Sequence, residues 1–432
     1  MLLEFRVQNF RSLRDSQALS LVASGDSTSA ATHLADTGLK ALPRAVRSAA
    51  IFGPNASGKT NLVYALGFMR AVVAESATVI QSGQTYNVAP FKLDLASAAE
   101  PTTFEVTFVL AGVRHQYGFS MTPQRIVDEW LLVYRSAKPQ QWLMRRHDAD
   151  SGRTSYEFST HLTGPRKTWQ EATRDNALFL STAVQLNSEL LRPIFKWITD
   201  SIVFFGAGQT PAEQYTTNLV SDPAGRDAVR NLMGAADFGI SDVETVQRKG
   251  LHQPIVLNTA IGAPTHIVRE ERETLAPQFV HKTATGSARF AFQEESQGTQ
   301  HWYAMAAPIL DVLREGRVLI IDELDSSLHP LLVRKLVEMF HGQSTNPRAA
   351  QLIFTTHDTS LLEGDLLRRD QVWFTEKAND QSTKLYPLTD FGPRKKEALA
   401  RGYLAGRYGA IPFLSDFAMP SASGPTSAES VR

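Results

Sequence analysis

The chain contains no cysteine, which excludes disulfides, Cys-ligated zinc and any Cys-x-x-Cys hook, and suits a reducing compartment such as the cytoplasm. It also lacks an apolar run of the roughly 18 residues that a spanning helix needs, so no membrane contact is expected. Neither sign of charge is in excess: Lys+Arg and Asp+Glu both number 44, and the formal net charge is zero. No global field therefore draws the molecule to nucleic acid, although a local basic patch is compatible with that balance. The opening stretch MLLEFRVQNFRSL carries Arg6 and Arg11 but no cleavable apolar core, so a secretion leader is not expected. There is no internal repeat and no sustained heptad pattern.

What is present is an ordinary globular composition, 43% hydrophobic and 20% charged over 432 residues. That length provides core enough for two or three lobes. Residues 2–8 alternate apolar and polar side chains as a half-buried strand does, SQALSLVA follows as a second extended piece, and 24–44 reads as a loop. AVRSAAIF (45–52) reads as a central strand, and 60–74 has the helical spacing of Leu62, Leu66, Met69 and Val73. From about 100 to 160 the period becomes two, with Phe104, Val106, Phe108 and Leu110 on one face, so four or five meander strands are expected there. Helices are expected at 165–175, 186–200 and 223–234, and irregular to β-like structure over 250–290. α/β character then returns, with a helix near 296–315, strands at RVLIIDE, AAQLIFTTHD and DQVWFTE, and a basic helical segment at 393–405. The division expected is 1–160, 161–290, 291–414 and a Ser/Ala/Pro-rich tail, 415–432, with the composition of a disordered segment.

Between strand and helix lies Gly53-Pro54-Asn55-Ala56-Ser57-Gly58-Lys59-Thr60 followed by Asn61, which fits the phosphate-binding pattern G-x-x-x-x-G-K-[ST]. In such a loop the two glycines allow the turn and the close approach of backbone to phosphate. Amide N–H groups and the helix N-terminus supply positive potential. Lys59 is expected at the β- and γ-phosphates of ATP, and the Thr60 hydroxyl on Mg2+. VLIIDELD (318–325) supplies the second half: four apolar β-formers carry Asp322 to a strand end, where it can support Mg2+. Glu323 follows, placed to polarise an attacking water. An ATPase is expected.

Three smaller pieces refine this. EESQGTQ places Ser296 and Gly298 about 25 residues before Asp322, LDSSLHP contains Asp325, and LIFTTHD places His357 about 35 residues after Asp322. Taken alone, Ser296 can be read as a plain helix N-cap, and His357 reads equally as a satisfied core histidine. Their order resembles that of the ABC-type P-loop ATPase head found in RecF- and SMC-like proteins and in transporters. The fold class so implied is α/β, with an antiparallel β lobe and a mostly helical inserted lobe. By that resemblance Ser296 and Gly298 complete the nucleotide site of a second subunit, Asp325 communicates across the pair, and His357 senses the γ-phosphate. A glutamine on Mg2+ is expected after the first helix, but neither Gln81 nor Gln84 has a recognisable context.

The insert of about 260 residues between the two motifs has neither long heptads nor a Cys hook, and a full transporter signature is absent. MLLEFRVQNFRSL, ADFGI, DELDSSLHP and YLAGRYGAIP together resemble the OLD/RloA-like ATPases of anti-phage defence, a group that includes the ATPase subunit of the PARIS system. The resemblance implies a cytoplasmic ATP-hydrolysing sensor or activator that assembles at least as a homodimer through its heads. It also implies a separate effector, a TOPRIM-type nuclease in several such systems. Only about 60 residues follow Thr375, too few for that nuclease, so it is expected on another chain.

The alternative is a RecF-like repair ATPase on duplex DNA. Its support is PRKKEALARGYLAGR, where Arg394, Lys395, Lys396, Arg401 and Arg407 can contact phosphates or form a solvated helix face. A transporter-coupled ATPase has no support in the motifs. Trp130, Trp142, Trp197 and Trp302 read as core. Tyr117 and Tyr134 read as strand-face packing or as stacking platforms for a base.

Overall fold

A computed structural model describes residues 1–236, 239–251, 255–256, 267–268, 271–393 and 397–412. The chain opens with β1 (Leu2–Gln8) and β2 (Gln17–Ser20), a single turn α1 (Ala30–His33), the pair β3 (Leu34–Asp36) and β4 (Arg44–Val46), and β5 (Ser48–Phe52). Helix α2 (Lys59–Glu75) and a short α3 (Leu95–Ala99) precede the meander of β6 (Thr102–Leu110), β7 (Val113–Met121), β8 (Ile126–Tyr134), β9 (Gln140–Asp148) and β10 (Arg153–Phe158). Next come α4 (Arg166–Ala172), α5 (Phe179–Gln185), α6 (Arg192–Ser201), β11 (Ile202–Phe205), α7 (Glu213–Val220) and α8 (Pro223–Gly234). A β segment follows, with β12 (Ile240–Leu251), the two-residue strands β13 (Ile255–Val256) and β14 (Ile267–Val268), β15 (Glu271–Thr283) and β16 (Gly286–Ala291). The chain closes with α9 (Gln297–Glu315), β17 (Val318–Ile321), α10 (Pro330–His341), β18 (Gln351–Thr355), β19 (Val372–Lys377), β20 (Thr383–Pro387) and α11 (Leu399–Leu404).

Two large sheets organise these elements. One is antiparallel, in the order β10-β9-β8-β7-β6-β1-β2. The other runs β11-β17-β18-β5-β19-β20, with its first five strands parallel and β20 antiparallel at the edge. In the parallel sheet β5, β17 and β18 are buried on both faces, as their nearly unbroken apolar sequences require. Alternation along each strand divides their side chains between two cores. Ala49, Ile51, Val318, Ile320 and Ile353 face α2 and the inner face of the antiparallel sheet. Ala50, Phe52, Leu319, Ile321, Leu352 and Phe354 face α9 and α10.

Helix α2 lies between the two sheets, which explains its burial on more than one side: Leu62, Val63, Ala65, Leu66, Met69, Val72 and Val73 are all inside. The helical segment is fastened to the meander at two points. Trp197 of α6 stacks on Phe108 of β6, with ring centroids 3.9 Å apart and planes 6° from parallel. The buried Glu129 carboxylate accepts from the Tyr117 hydroxyl (3.0 Å) and from the amides of Phe179 (2.6 Å) and Leu180 (2.9 Å) at the start of α5. Arg145, equally buried, lies 3.7 Å from that carboxylate and donates to Ala177 O (2.6 Å). Removing either member of such a pair leaves the other charge buried without its counterpart.

Several expectations are corrected here. Residues 161–290 do not form one mostly helical lobe: β11 belongs to the parallel sheet, and β12, β15 and β16 form a three-stranded antiparallel sheet. Of the helix expected at 186–200 only the part from Arg192, α6, is present: α5 ends before that span at Gln185, and the turn between the two helices has Asn187 at φ 63°. The loop expected at 24–44 contains α1, β3 and the start of β4. The N-terminal 160 residues serve both large sheets, since β1 and β2 extend the meander while β5 is central in the other. Trp142, Trp197 and Trp302 are buried, whereas Trp130 is half-exposed and its indole N–H donates to Glu105 (2.8 Å). Asp237 and Phe238 of ADFGI, Arg394 to Lys396 of the basic segment, and the 415–432 tail lie outside the described residues. Among the described residues no helix is long and apolar enough to cross a membrane.

Candidate functional site

The C-terminal ends of parallel strands converge, and in α/β sheets that edge is where ligands sit. Here the loop after β5 leads straight into α2, and packing against strands β19 and β20 dictates its glycines. A Cβ on Gly53 would lie 2.4 Å from Thr375 O, and one on Gly58 (φ 108°) would lie 2.1 Å from Thr383 Oγ1. Neither position admits a side chain without moving backbone or the buried Thr383. Ala56 takes a left-handed conformation (φ 62°), and Ser57 Oγ is 2.6 Å from Thr375 Oγ1. Lys59 Nζ donates to Gly53 O (2.7 Å) and Pro54 O (3.1 Å). Burial pushes the Lys59 ammonium down to about 8, and Asp322, Asp325 and Glu323 partly oppose that shift.

Residues 55–61 of the loop line a cleft of about 310 Å3 together with Glu323 and His357. The loop, the acidic strand end and the histidine therefore meet at one place, although about 300 residues separate the first from the last. Asp322 is buried at the end of β17, where its Oδ1 accepts from Thr355 Oγ1 (2.6 Å). Its Oδ2 is buried with no hydrogen-bond partner. Glu323, exposed to the cleft, has φ 54°, and its amide donates to the same Thr355 Oγ1 (2.7 Å). Asp325 accepts from the His357 amide (3.2 Å), so the turn after β17 holds the turn after β18. Burial and the nearby Lys59 charge lower the pKa of His357, with Asp325, Glu323 and Asp322 opposing.

A buried carboxylate oxygen without a partner is costly unless a cation or donor meets it. The Asp322 oxygen and the Thr60 hydroxyl are hard oxygen donors of the kind Mg2+ takes, together with water and phosphate oxygens. The residues present thus fit that ion, with Thr60 and Asp322 as the side chains that would hold it.

Sequence reasoning missed Thr355, although the TTHD motif contained it. Its hydroxyl is the shared partner of Asp322 and of the Glu323 amide, and so positions both acids. Thr355→Val keeps the shape and removes both bonds. Such supporting partners typically contribute 10–100-fold to metal affinity or activity. A rise of about tenfold or more in the Mg2+ concentration for half-maximal ATP turnover is expected, measured by titrating the metal at fixed ATP. An unchanged Mg2+ profile would limit Thr355 to a packing role. Thr383, Ser12 and Thr375 were also missed. Thr383 Oγ1 donates to Ser57 O (2.8 Å) and lies 2.8 Å from Ser12 Oγ, and Asn61 Nδ2 donates to Ser12 Oγ (2.7 Å). Single hydroxyls far apart in sequence gave no signal for these contacts.

Ser296 and Gly298 do not line this cleft. Ser296 is the N-cap of α9, accepting from the Thr299 amide at 3.1 Å. A Cβ on Gly298 would lie 3.0 Å from Ser327 O, so the helix start packs close against the turn that follows Asp325. Gln81 and Gln84 bond to each other, with the Gln81 amide on Gln84 Oε1 at 2.7 Å, and neither reaches the cleft. Of the basic segment, Arg407 pairs with Glu397.

A family model described as "AAA domain, putative AbiEii toxin, Type IV TA system" matches residues 48–363, which run from the first residue of β5 past His357. Among solved structures, the SMC head domain from Thermotoga maritima is similar to the chain with a TM-score of 0.40. It is 13% identical, over 89% of this chain and 98% of that one. Comparison with curated protein sequences gave no match.

Proposed function

This chain belongs to the AAA-domain family whose model spans residues 48–363, and on that premise we propose that it is an ATP-binding and ATP-hydrolysing sensor or activator of anti-phage defence that controls a separate effector. The observation that carries the ATPase reading is the convergence of Lys59, Thr60, Glu323 and His357 on one cleft, with the unpartnered Oδ2 of Asp322 buried one residue before Glu323. The family description, with its toxin and toxin–antitoxin terms, supports the defence setting.

In this reading the amides of residues 55–60 and the N-terminus of α2 bind the phosphates, and Lys59 moves from the Gly53 and Pro54 carbonyls to the β- and γ-phosphate oxygens. Thr60 and Asp322 would hold Mg2+, which when bound would supply neutralisation of phosphate charge. Glu323 orients a water and takes its proton. His357, largely neutral at pH 7 because its pKa is lowered, offers one ring N–H to the γ-phosphate. Its backbone link to Asp325 relays occupancy to the turn against which Gly298 packs. Ser296 and Gly298, outside the cleft of their own chain, would face the nucleotide of a second copy, so the working unit is at least a dimer. The effector would be a nuclease on another chain, and the setting the cytoplasm.

The test is capture of tagged Glu323→Gln protein with ATP from its native cells, followed by mass spectrometry. A stoichiometric nuclease is the expected product. Recovery of DNA and replication proteins alone would replace this reading with the repair ATPase.

A further inference from the structure

At the opposite end of β1 from the phosphate cleft lies a second, larger cavity, of about 490 Å3. Loop 38–42, the β6–β7 turn at Gly112–Arg114, and the start of the β8–β9 turn at Tyr134–Ala137 form its walls. β1 has seven residues, which at about 3.3 Å per residue puts roughly 20 Å between the two sites. They share no lining residue.

The floor is apolar: Leu39 and Leu42 pack on the small cluster of Leu3, Ala45 and Val109. The rim is cationic, with Lys40, Arg114 and Arg135, and no acidic side chain lines the cavity. Among the described residues none of these three cations has a carboxylate partner, in a protein whose overall charge is zero. Arg114 Cζ lies over the ring of its cross-strand neighbour Tyr134, 3.4 Å from the centroid. The Tyr134 hydroxyl is fixed by donation to Gln116 Oε1 (2.7 Å).

The wall is built in advance. The Thr37 amide donates to Pro43 O (3.0 Å), the Leu39 amide to Thr37 Oγ1 (3.0 Å), and the Thr37 hydroxyl to Leu42 O. The nearest acid in sequence, Asp36, is taken up by the Gly38 amide (2.8 Å).

An apolar floor, a guanidinium already stacked on an aromatic ring and two further cations at the rim match one chemistry: a flat heterocycle with an attached phosphate. Bases stack on aromatic rings and on guanidinium planes, while arginine and lysine take the phosphate. A fully paired duplex hides the base faces that such a floor needs. We infer that this cavity binds an unpaired nucleobase and its phosphate, carried by a single-stranded nucleic acid or by a free nucleotide. The inference stands apart from the defence reading and uses none of its residues.

The test is fluorescence anisotropy of a labelled 15-nucleotide single-stranded oligothymidylate with the full chain. Saturable binding is expected, retained in Lys59→Ala and weakened at least tenfold in the Arg114→Gln, Arg135→Gln double variant. Each lost phosphate contact also lowers the slope of log affinity against log salt by about 0.7, so the double variant, which removes the Arg135 contact and the stacked Arg114, should flatten it by at least about 0.7. Tyr134→Leu should weaken binding about fivefold or more, and basal ATP turnover in these cavity variants should stay at the parent value, which also shows that they fold.

Competition by millimolar uridine monophosphate would assign the free nucleotide as the source, and failure of that competitor the strand. No binding of either probe, affinity unchanged in the double variant, tighter binding of duplex DNA, or equal competition by polyglutamate would each overturn the inference.

Discussion

Lys59→Ala is expected to weaken ATP binding by about 100-fold, read as Kd by calorimetry at saturating Mg2+. The size follows from the loss of one charge-assisted contact to phosphate, about 3 kcal/mol at the upper end of the usual range. The fold should survive, because Lys59 bonds only to the carbonyls of its own loop. Unchanged affinity would place the nucleotide elsewhere.

The same side chain predicts a pH dependence. Burial pushes Lys59 down to about 8 in the nucleotide-free protein, and phosphates on Nζ favour the charged form. Above pH 8 the free protein sheds this proton while the complex keeps it, so binding must take the proton up again. Affinity should fall as pH rises past about 8, by up to tenfold per pH unit, and this slope should vanish in Lys59→Ala.

Glu323→Gln is expected to retain ATP and to lower turnover by 10²–10⁴-fold, the usual contribution of a general base. The amide keeps the side chain's length. The left-handed Glu323 backbone is held by Thr355 through the main-chain N–H, which the substitution leaves in place. Stalled before hydrolysis, the protein should accumulate in its ATP-bound, self-associated form. Light scattering with gel filtration in ATP should then show a species of at least twice the 47.7 kDa chain mass, returning to the starting size when ATP is removed. Near-normal turnover would move the base to another residue, and turnover lost without any change of size would remove the paired-head arrangement from the mechanism.

These expectations rest on features of unequal legibility. The loop 53–60 and the strand 318–321 can be read from sequence because each is local: glycine spacing, a lysine and a run of β-formers need no knowledge of partners. The five strands β6 to β10 were legible for the same reason, since a half-buried strand repeats its burial every second residue. Helix α5 was not legible, because all its faces are covered and its apolar run FLSTAV has no clear period. Likewise β11 reads as four apolar residues after a helix, and only the pairing of Ile202 with Val318 makes it an edge of the parallel sheet.

The sequence by itself determined the chemistry available: a phosphate loop, two acids after a buried strand, a histidine after the next, and no cysteine for any thiol function. Tertiary structure decided which groups meet. It put Thr355 between Asp322 and Glu323, Thr383 against Gly58, and Asp325 on the His357 amide. It left Ser296 out of its own chain's cleft, and it gathered Lys40, Arg114 and Arg135 around Tyr134. Contacts of this kind depend on strand order and register. Many weak burial terms distributed over two cores set that order, and none of them is visible in a short stretch of residues.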